Sequence, residues 1–152
     1  MDYCGDIRRP ENLGHTLILL SIDPGANTGM ALFRDGKLVG LRTIAPLELI
    51  DAIKAVCPDV VVIEDSRLQS AIWHSGRGQS KIARDVGRID GWCDLIEATA
   101  KWLGCQFIPV SPKGKGGKAD AATFKLVTGW TGQTNSHERD AAMIGWPMKT
   151  MK

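Results

Sequence analysis

Four side chains are of the types and in the order needed to gather a metal ion: Asp23, Glu64, His137 and Asp140. Asp23 closes the apolar run LILLSID, and Glu64 closes the run VVVIE. If the two runs are neighbouring parallel strands, their carboxylates stand close together at the strand edge where α/β sheets place their sites. Two such carboxylates repel, and one must take up a proton unless a cation lies between them. Hard oxygen donors of this kind suit magnesium or manganese. In NSHERDAAMIG, His137 and Asp140 stand three residues apart on one helix face, and Ala141 and Ile144 continue that stripe toward the core. A carboxylate on a buried stripe needs a partner. Set against the strand ends, Asp140 completes a three-carboxylate cage with His137 beside it, while Glu138 and Arg139 point to solvent. Each residue alone has a plainer reading. Asp23 precedes Pro24-Gly25 and could form a turn, Glu64 could simply end a strand, and His137 could start a helix.

The elements that must position these residues are legible from pattern. Leu17–Ile22, Met30–Phe33 and Lys37–Thr43 are strand candidates, the last two joined by RDG, a strong hairpin signal. Pro46 opens a helix to Val56. The β-branched run in CPDVVVIED is apolar on both faces and predicts a buried central strand. Ile82, Val86, Ile89, Cys93, Ile96, Ala100 and Leu103 form an apolar stripe along a long helix. Gly87 and Gly91 interrupt it on one face, for close approach of the sheet or of a partner helix, or by simple tolerance. CQFIPV is a fifth strand, ADAATFKLVTGW a helix ending near Gly129, and Asn135–Gly145 a last helix, with Asn135 and Glu138 spaced as a capping box. The order β-β-β-α-β-α-β-α-α predicts a five-stranded mixed sheet with helices on both faces.

The bulk numbers narrow the class. At 152 residues, 43% hydrophobic and 24% charged, the chain suits one globular domain over residues 16–152, preceded by a loose arm over 1–15. No apolar stretch approaches the ~20 residues that span a bilayer, and the start is unlike a signal peptide, so the expected location is cytoplasmic. The four cysteines (Cys4, Cys57, Cys93, Cys105) show neither redox nor zinc spacing and are expected to be free thiols.

The net charge is only +2, but Lys and Arg concentrate between Arg67 and Lys125, which fits an acidic site beside a surface for a polyanion. Lys113, Lys115 and Lys118 lie in a glycine-rich loop before a helix, a natural place for phosphate. Lys118, nearest the helix, is the best candidate for a phosphate contact. The loop is no P-loop, because Ala119 stands where Ser or Thr is required. Trp73, followed by Gly76-Arg77-Gly78, could stack on an unpaired base or anchor the core. With Arg77 and Lys81 it completes the candidate nucleic-acid contacts.

The assembled pattern resembles the ribonuclease-H-like superfamily of metal-dependent nucleases and, within it, the RuvC-type Holliday junction resolvases. IDPGANTGMALF resembles that family's opening Asp-Pro-Gly motif, and VVIEDSR its central-strand glutamate motif. PVSPKGKGGKADAATFKLV resembles its basic segment. HERDAAMIG resembles its closing motif, in which an acid or histidine precedes the last metal-binding Asp by three. The likeness spans about Leu17 to Trp146.

The resemblance implies an α/β ribonuclease-H-like fold and a metal-dependent endonuclease that resolves four-way DNA junctions by paired symmetric nicks. It implies two Mg2+ or Mn2+ ions per active site, and two ions about 4 Å apart can hold an attacking water and a leaving oxygen in line. Asp23 would bridge the ions, Glu64 would hold one, and Asp140 with His137 the other. Whether His137 is a ligand or a general base stays open. The two-fold symmetry of a junction calls for a homodimer, with the helix around 80–103 at the interface. Many relatives carry Asp where His137 stands, so this site has one negative charge fewer, a change that could favour manganese. The N-terminal arm departs from the family and carries nothing over. Small size and divergence would suit a phage or viral enzyme. The competing readings are a nuclease for flaps, forks or RNA-DNA hybrids, and a non-catalytic nucleic-acid-binding protein on the same fold. The chain is too short for the duplicated domain of a sugar-kinase or actin-like ATPase.

Overall fold

The computed structural model describes residues 16–69, 79–112 and 118–151. The sheet contains β1 (Ile18–Asp23), β2 (Thr28–Arg34), β3 (Lys37–Ile44), β4 (Val60–Glu64) and β5 (Gln106–Val110), in the spatial order β3-β2-β1-β4-β5. β1 to β3 form an antiparallel meander, while β4 and β5 run parallel to β1. The RDG signal holds: Asp35 and Gly36 both take positive φ, 46° and 78°, as a tight hairpin between right-twisted strands requires.

The alternation of β1 and β4 divides the core in two. Leu20, Ile22, Val61 and Ile63 face α1 (Leu49–Val56) and α2 (Gln79–Leu103), meeting Leu49, Ile53, Cys93, Ile96 and Ala100. Leu19, Val60 and Val62 face α3 (Ala121–Thr128) and α4 (Ser136–Gly145), meeting Phe124, Ala141, Ala142 and Ile144. Each fully buried aliphatic side chain of this kind contributes roughly 2 kcal/mol. Helices therefore cover both faces, as the sequence predicts. α4 is seated by a buried Ser21 hydroxyl that donates to the Ala141 carbonyl at 2.6 Å. Two glycines let it approach: Gly29 on β2 lies under the His137 carbonyl, and Gly145 lies against Ser21 and Phe33. The capping box is present, with the Asn135 side chain accepting from the Glu138 amide and the Glu138 carboxylate accepting from the Asn135 amide, both at 3.0 Å.

Three expectations are corrected. The α2 stripe does not bury along its whole length. Its second half packs on the sheet, whereas Ile82 and Val86 are 53% and 45% exposed. A Cβ added at Gly87 or Gly91 would meet nothing within 4 Å among the described residues, so neither glycine serves packing against this chain's own sheet. Cys57 is not a free thiol but disulfide-bonded, while Cys93 and Cys105 are free. Sequence spacing could not show this, because a fold joins cysteines of any separation. No helix among the described residues is long and apolar enough to cross a membrane. The 1–15 arm lies outside the described residues.

Candidate active site

β1 and β4 pair in parallel through Ile22 and Ile63, so Asp23 and Glu64 are the next residues of two adjacent strands. Neighbouring strands lie about 4.8 Å apart. By alternation, Asp23 shares a face with Leu19, and Glu64 with Val60 and Val62, which is the face that α4 covers. On α4, Asp140 precedes Ala141, the residue tied to Ser21, and is itself buried. Carboxylates from β1, β4 and α4 thus lie on one side of the sheet, toward its C-terminal edge. Oε2 of Glu64 is shielded from solvent.

A lysine sits on this cluster. Nζ of Lys118, just ahead of α3, lies 3.1 Å from Oδ2 of Asp140. Asp140 beside it, and behind that the charges of Asp23 and Glu64, hold the Lys118 ammonium above the usual lysine range. One cation therefore feels all three carboxylates. The Lys118 side chain is otherwise 79% exposed, so it reaches in from solvent and is free to swing away. The donors are the hard oxygens that magnesium or manganese takes. In the present arrangement, however, no group of three His, Cys, Asp or Glu among the described residues has metal-holding spacing.

The remaining predicted residues are less concentrated. His137 stands one turn before Asp140, half-buried, with no hydrogen bond or ion pair of its side chain among the described residues. Lys81 is exposed on the first half of α2, away from the sheet. Trp73, Arg77, Lys113 and Lys115 lie outside the described residues. Arg139 is corrected. It is half-buried, not solvated, donating from Nε to the Ala119 carbonyl at 3.0 Å and from Nη1 to the Thr134 carbonyl at 3.1 Å. It pins the segments on either side of α3 next to Asp140, and hence the approach of Lys118.

A second network was not visible in the sequence. Immediately after Glu64, Asp65 is 2% exposed and accepts from Arg67 at Nε (2.8 Å) and Nη2 (2.6 Å). Arg67 also reaches Asp94 and Glu97 on α2. Ser66 donates to Asp90, and Cys93 Sγ lies 3.9 Å from the Glu64 carbonyl. This clamp ties the end of β4 to α2 and turns Asp65 away from the Glu64 side. The only local hint in the sequence was an acid two residues before an arginine; the acids on α2 are about thirty positions away.

Arg67 holds the Asp65 carboxyl below its ordinary range. A depressed folded-state value contributes stability above the ordinary 3.8, which is lost as pH falls through the folded value. Arg67→Ala leaves a buried, uncompensated charge. It is expected to lower stability by about 3 kcal/mol at neutral pH, with the gap from wild type narrowing below pH 3.8. Denaturant titrations of both proteins across that range check it. A gap that is constant with pH would show that the Asp65 charge is not what Arg67 serves.

The sheet order, the helices on both faces and the acidic edge define a ribonuclease-H-like fold. Among solved structures, the chain is similar to T. thermophilus RuvC in complex with Holliday junction substrate, with TM-score 0.58 and 16% identity over 88% of this chain and 97% of that one. It is also similar to the Thermus thermophilus RuvC structure, with TM-score 0.56 and 16% identity over 86% and 92%. No protein-family model matches the chain, and no curated protein matches it.

Proposed function

We infer that the chain is a metal-dependent endodeoxyribonuclease that cuts branched DNA, with the four-way junction as its substrate and paired symmetric nicks as its product. The observation that carries this reading is the placing of Asp140, with Lys118 on it at 3.1 Å, on the same side of the sheet as the adjacent strand ends that bear Asp23 and Glu64. The likeness to a RuvC solved with junction DNA supports the substrate class.

Asp23, Glu64 and Asp140 would hold the divalent ions, with His137 adding a nitrogen ligand or orienting water. Bound there, Mg2+ or Mn2+ would supply charge to the phosphate and a more acidic water. The chain's own residues do the rest. Lys118 neutralises Asp140 in the arrangement described and, on leaving it, can carry its charge to a phosphate oxygen. Arg139 fixes the base of that lysine, and the Arg67 clamp holds Glu64 at the strand end. The exposed Ile82 and Val86 on α2 support a homodimer through that helix, giving two sites for two opposed strands.

The test is cleavage of a labelled four-way junction, a matched duplex, a fork, a flap and an RNA-DNA hybrid, with magnesium, manganese or EDTA. Paired symmetric nicks confined to the junction and lost in EDTA are expected. Equal cutting of every substrate would remove junction selectivity. Binding without cleavage under all metals would leave a nucleic-acid-binding protein on a nuclease fold.

A further inference from the structure

Beyond the acidic edge, the described residues enclose a half-open cavity of ≈ 350 Å³ between α3 and the loop that follows it, lined by Phe124, Lys125, Trp130, Gly132, Gln133 and Thr134 among others. The volume is that of a small-ligand site. Its chemistry is mixed: two aromatic rings, one ammonium, one amide and one hydroxyl. Nε1 of Trp130 is buried and has no hydrogen-bond partner among the described residues. A buried indole N–H ordinarily finds an acceptor, and leaving one without costs about 1–3 kcal/mol. The residue beside it is Gly132, whose Cβ, if it had one, would stand 3.0 Å from that nitrogen. The Gly132 backbone thus closes over the N–H, and the cavity is met by the rest of the Trp130 side chain.

The loop is held at both ends. The Trp130 amide donates to the Thr128 hydroxyl at 3.2 Å, and Arg139 grips the Thr134 carbonyl at 3.1 Å. The same arginine holds Ala119, next to Lys118. The cavity therefore runs along α3 from Ala121, its first residue, to Lys125, and its near end begins three residues after Lys118. Lys118 on Asp140 and Lys125 on the cavity wall stand seven residues apart along this stretch.

We propose that this cavity is a nucleotide subsite. It would take an unstacked base of the bound strand against Trp130, with the Gln133 amide at the base edge and the neighbouring phosphate on Lys125. The flat apolar body, the acceptor and the negative charge that the lining calls for occur together in a nucleotide, and aromatic platforms flanked by cations are how proteins hold unpaired bases. The proposal rests on the DNA-cleaving reading for its biological substrate, but its test does not.

The probe is thymidine monophosphate, and the readout is the indole N–H resonance of Trp130, assigned by Trp130→Phe among the five tryptophans. A saturable shift at Trp130 is expected with the nucleotide, with thymidine or inorganic phosphate alone giving less. Lys125→Gln should weaken nucleotide binding about tenfold. Gly132→Leu, which fills the cavity beside Nε1, should abolish the shift while the other indole signals stay in place. If those signals also move, Gly132→Ser supplies the smaller block. A Trp130 signal unmoved at millimolar nucleotide overturns the proposal. So does a full response to inorganic phosphate alone, which would make this an anion site. If Trp130 responds but no DNA is cut, the pocket stands and the nuclease reading falls. If junctions are cut normally and Trp130 is silent, only the pocket falls.

Discussion

Asp23→Asn is expected to lower junction cleavage by a factor on the order of 10³, about 4 kcal/mol of barrier, without weakening junction binding. The substitution is nearly isosteric. β1 is held by pairing on both sides through Ile22 with Met30 and Ile63, and its buried residues do not change. The fold should therefore survive, and thermal melting should show it. What changes is the charge at the centre of the acidic edge. With one carboxylate gone, the pull of the cluster on a divalent ion falls and Lys118 loses one of the charges that hold its ammonium above the usual range. Phosphate approaches such a site more easily, so affinity should hold or rise, because phosphate contacts dominate it. Single-turnover cleavage and a gel-shift titration on the same preparation separate the two effects. Cleavage at the wild-type rate would return Asp23 to the role of a turn former before Pro24-Gly25. Loss of binding together with cleavage would make it a structural residue of the DNA surface.

Much of this site was legible because its signals are local. An apolar strand that ends on an acid announces itself, and so does a helix whose buried stripe carries Asp140. The order of the elements and the face shared by Asp23, Glu64 and Asp140 follow from strand and helix periodicity alone. Three features escaped because they depend on which distant segments meet. Arg67 reads as one more basic residue until α2 brings Asp94 and Glu97 to it. Arg139 reads as solvated until the Ala119 and Thr134 carbonyls close around it. The α2 stripe reads as core along its length, but periodicity reports an apolar face and not what covers it. The packed core reaches along α2 only as far as Ile89, and Ile82 and Val86 stand beyond it.

Gly29→Ala should be the most damaging single-methyl change in the described chain, and it tests how Asp140 comes to its place. A Cβ at position 29 would stand 1.9 Å from the His137 carbonyl oxygen and 2.5 Å from its carbon. Those are backbone atoms of α4, so no rotamer can relieve the overlap, and the first turn of the helix must lift from β2. Overpacking usually costs about 1–3 kcal/mol. Here the upper end, about 3 kcal/mol, is expected, a fall in Tm of roughly 10 °C for a chain of this length. Two other glycines calibrate it. At Gly145 the Cβ would meet the Ser21 Cβ at 2.7 Å and the Phe33 ring at 2.9 Å, a smaller overlap of which the ring part can give way. At Gly40 it would meet only the Leu32 Cβ at 3.6 Å, an ordinary contact. The expected order of destabilisation is therefore Gly29, then Gly145, then Gly40, the last near neutral. Because the displaced turn carries His137 and leads into Asp140, Gly29→Ala should also lose cleavage at temperatures where it is still folded, whereas Gly40→Ala should keep it. Equal melting of the Gly29 and Gly40 variants would mean that α4 is not seated on β2 through this contact, and that something other than the glycine brings Asp140 to the strand ends.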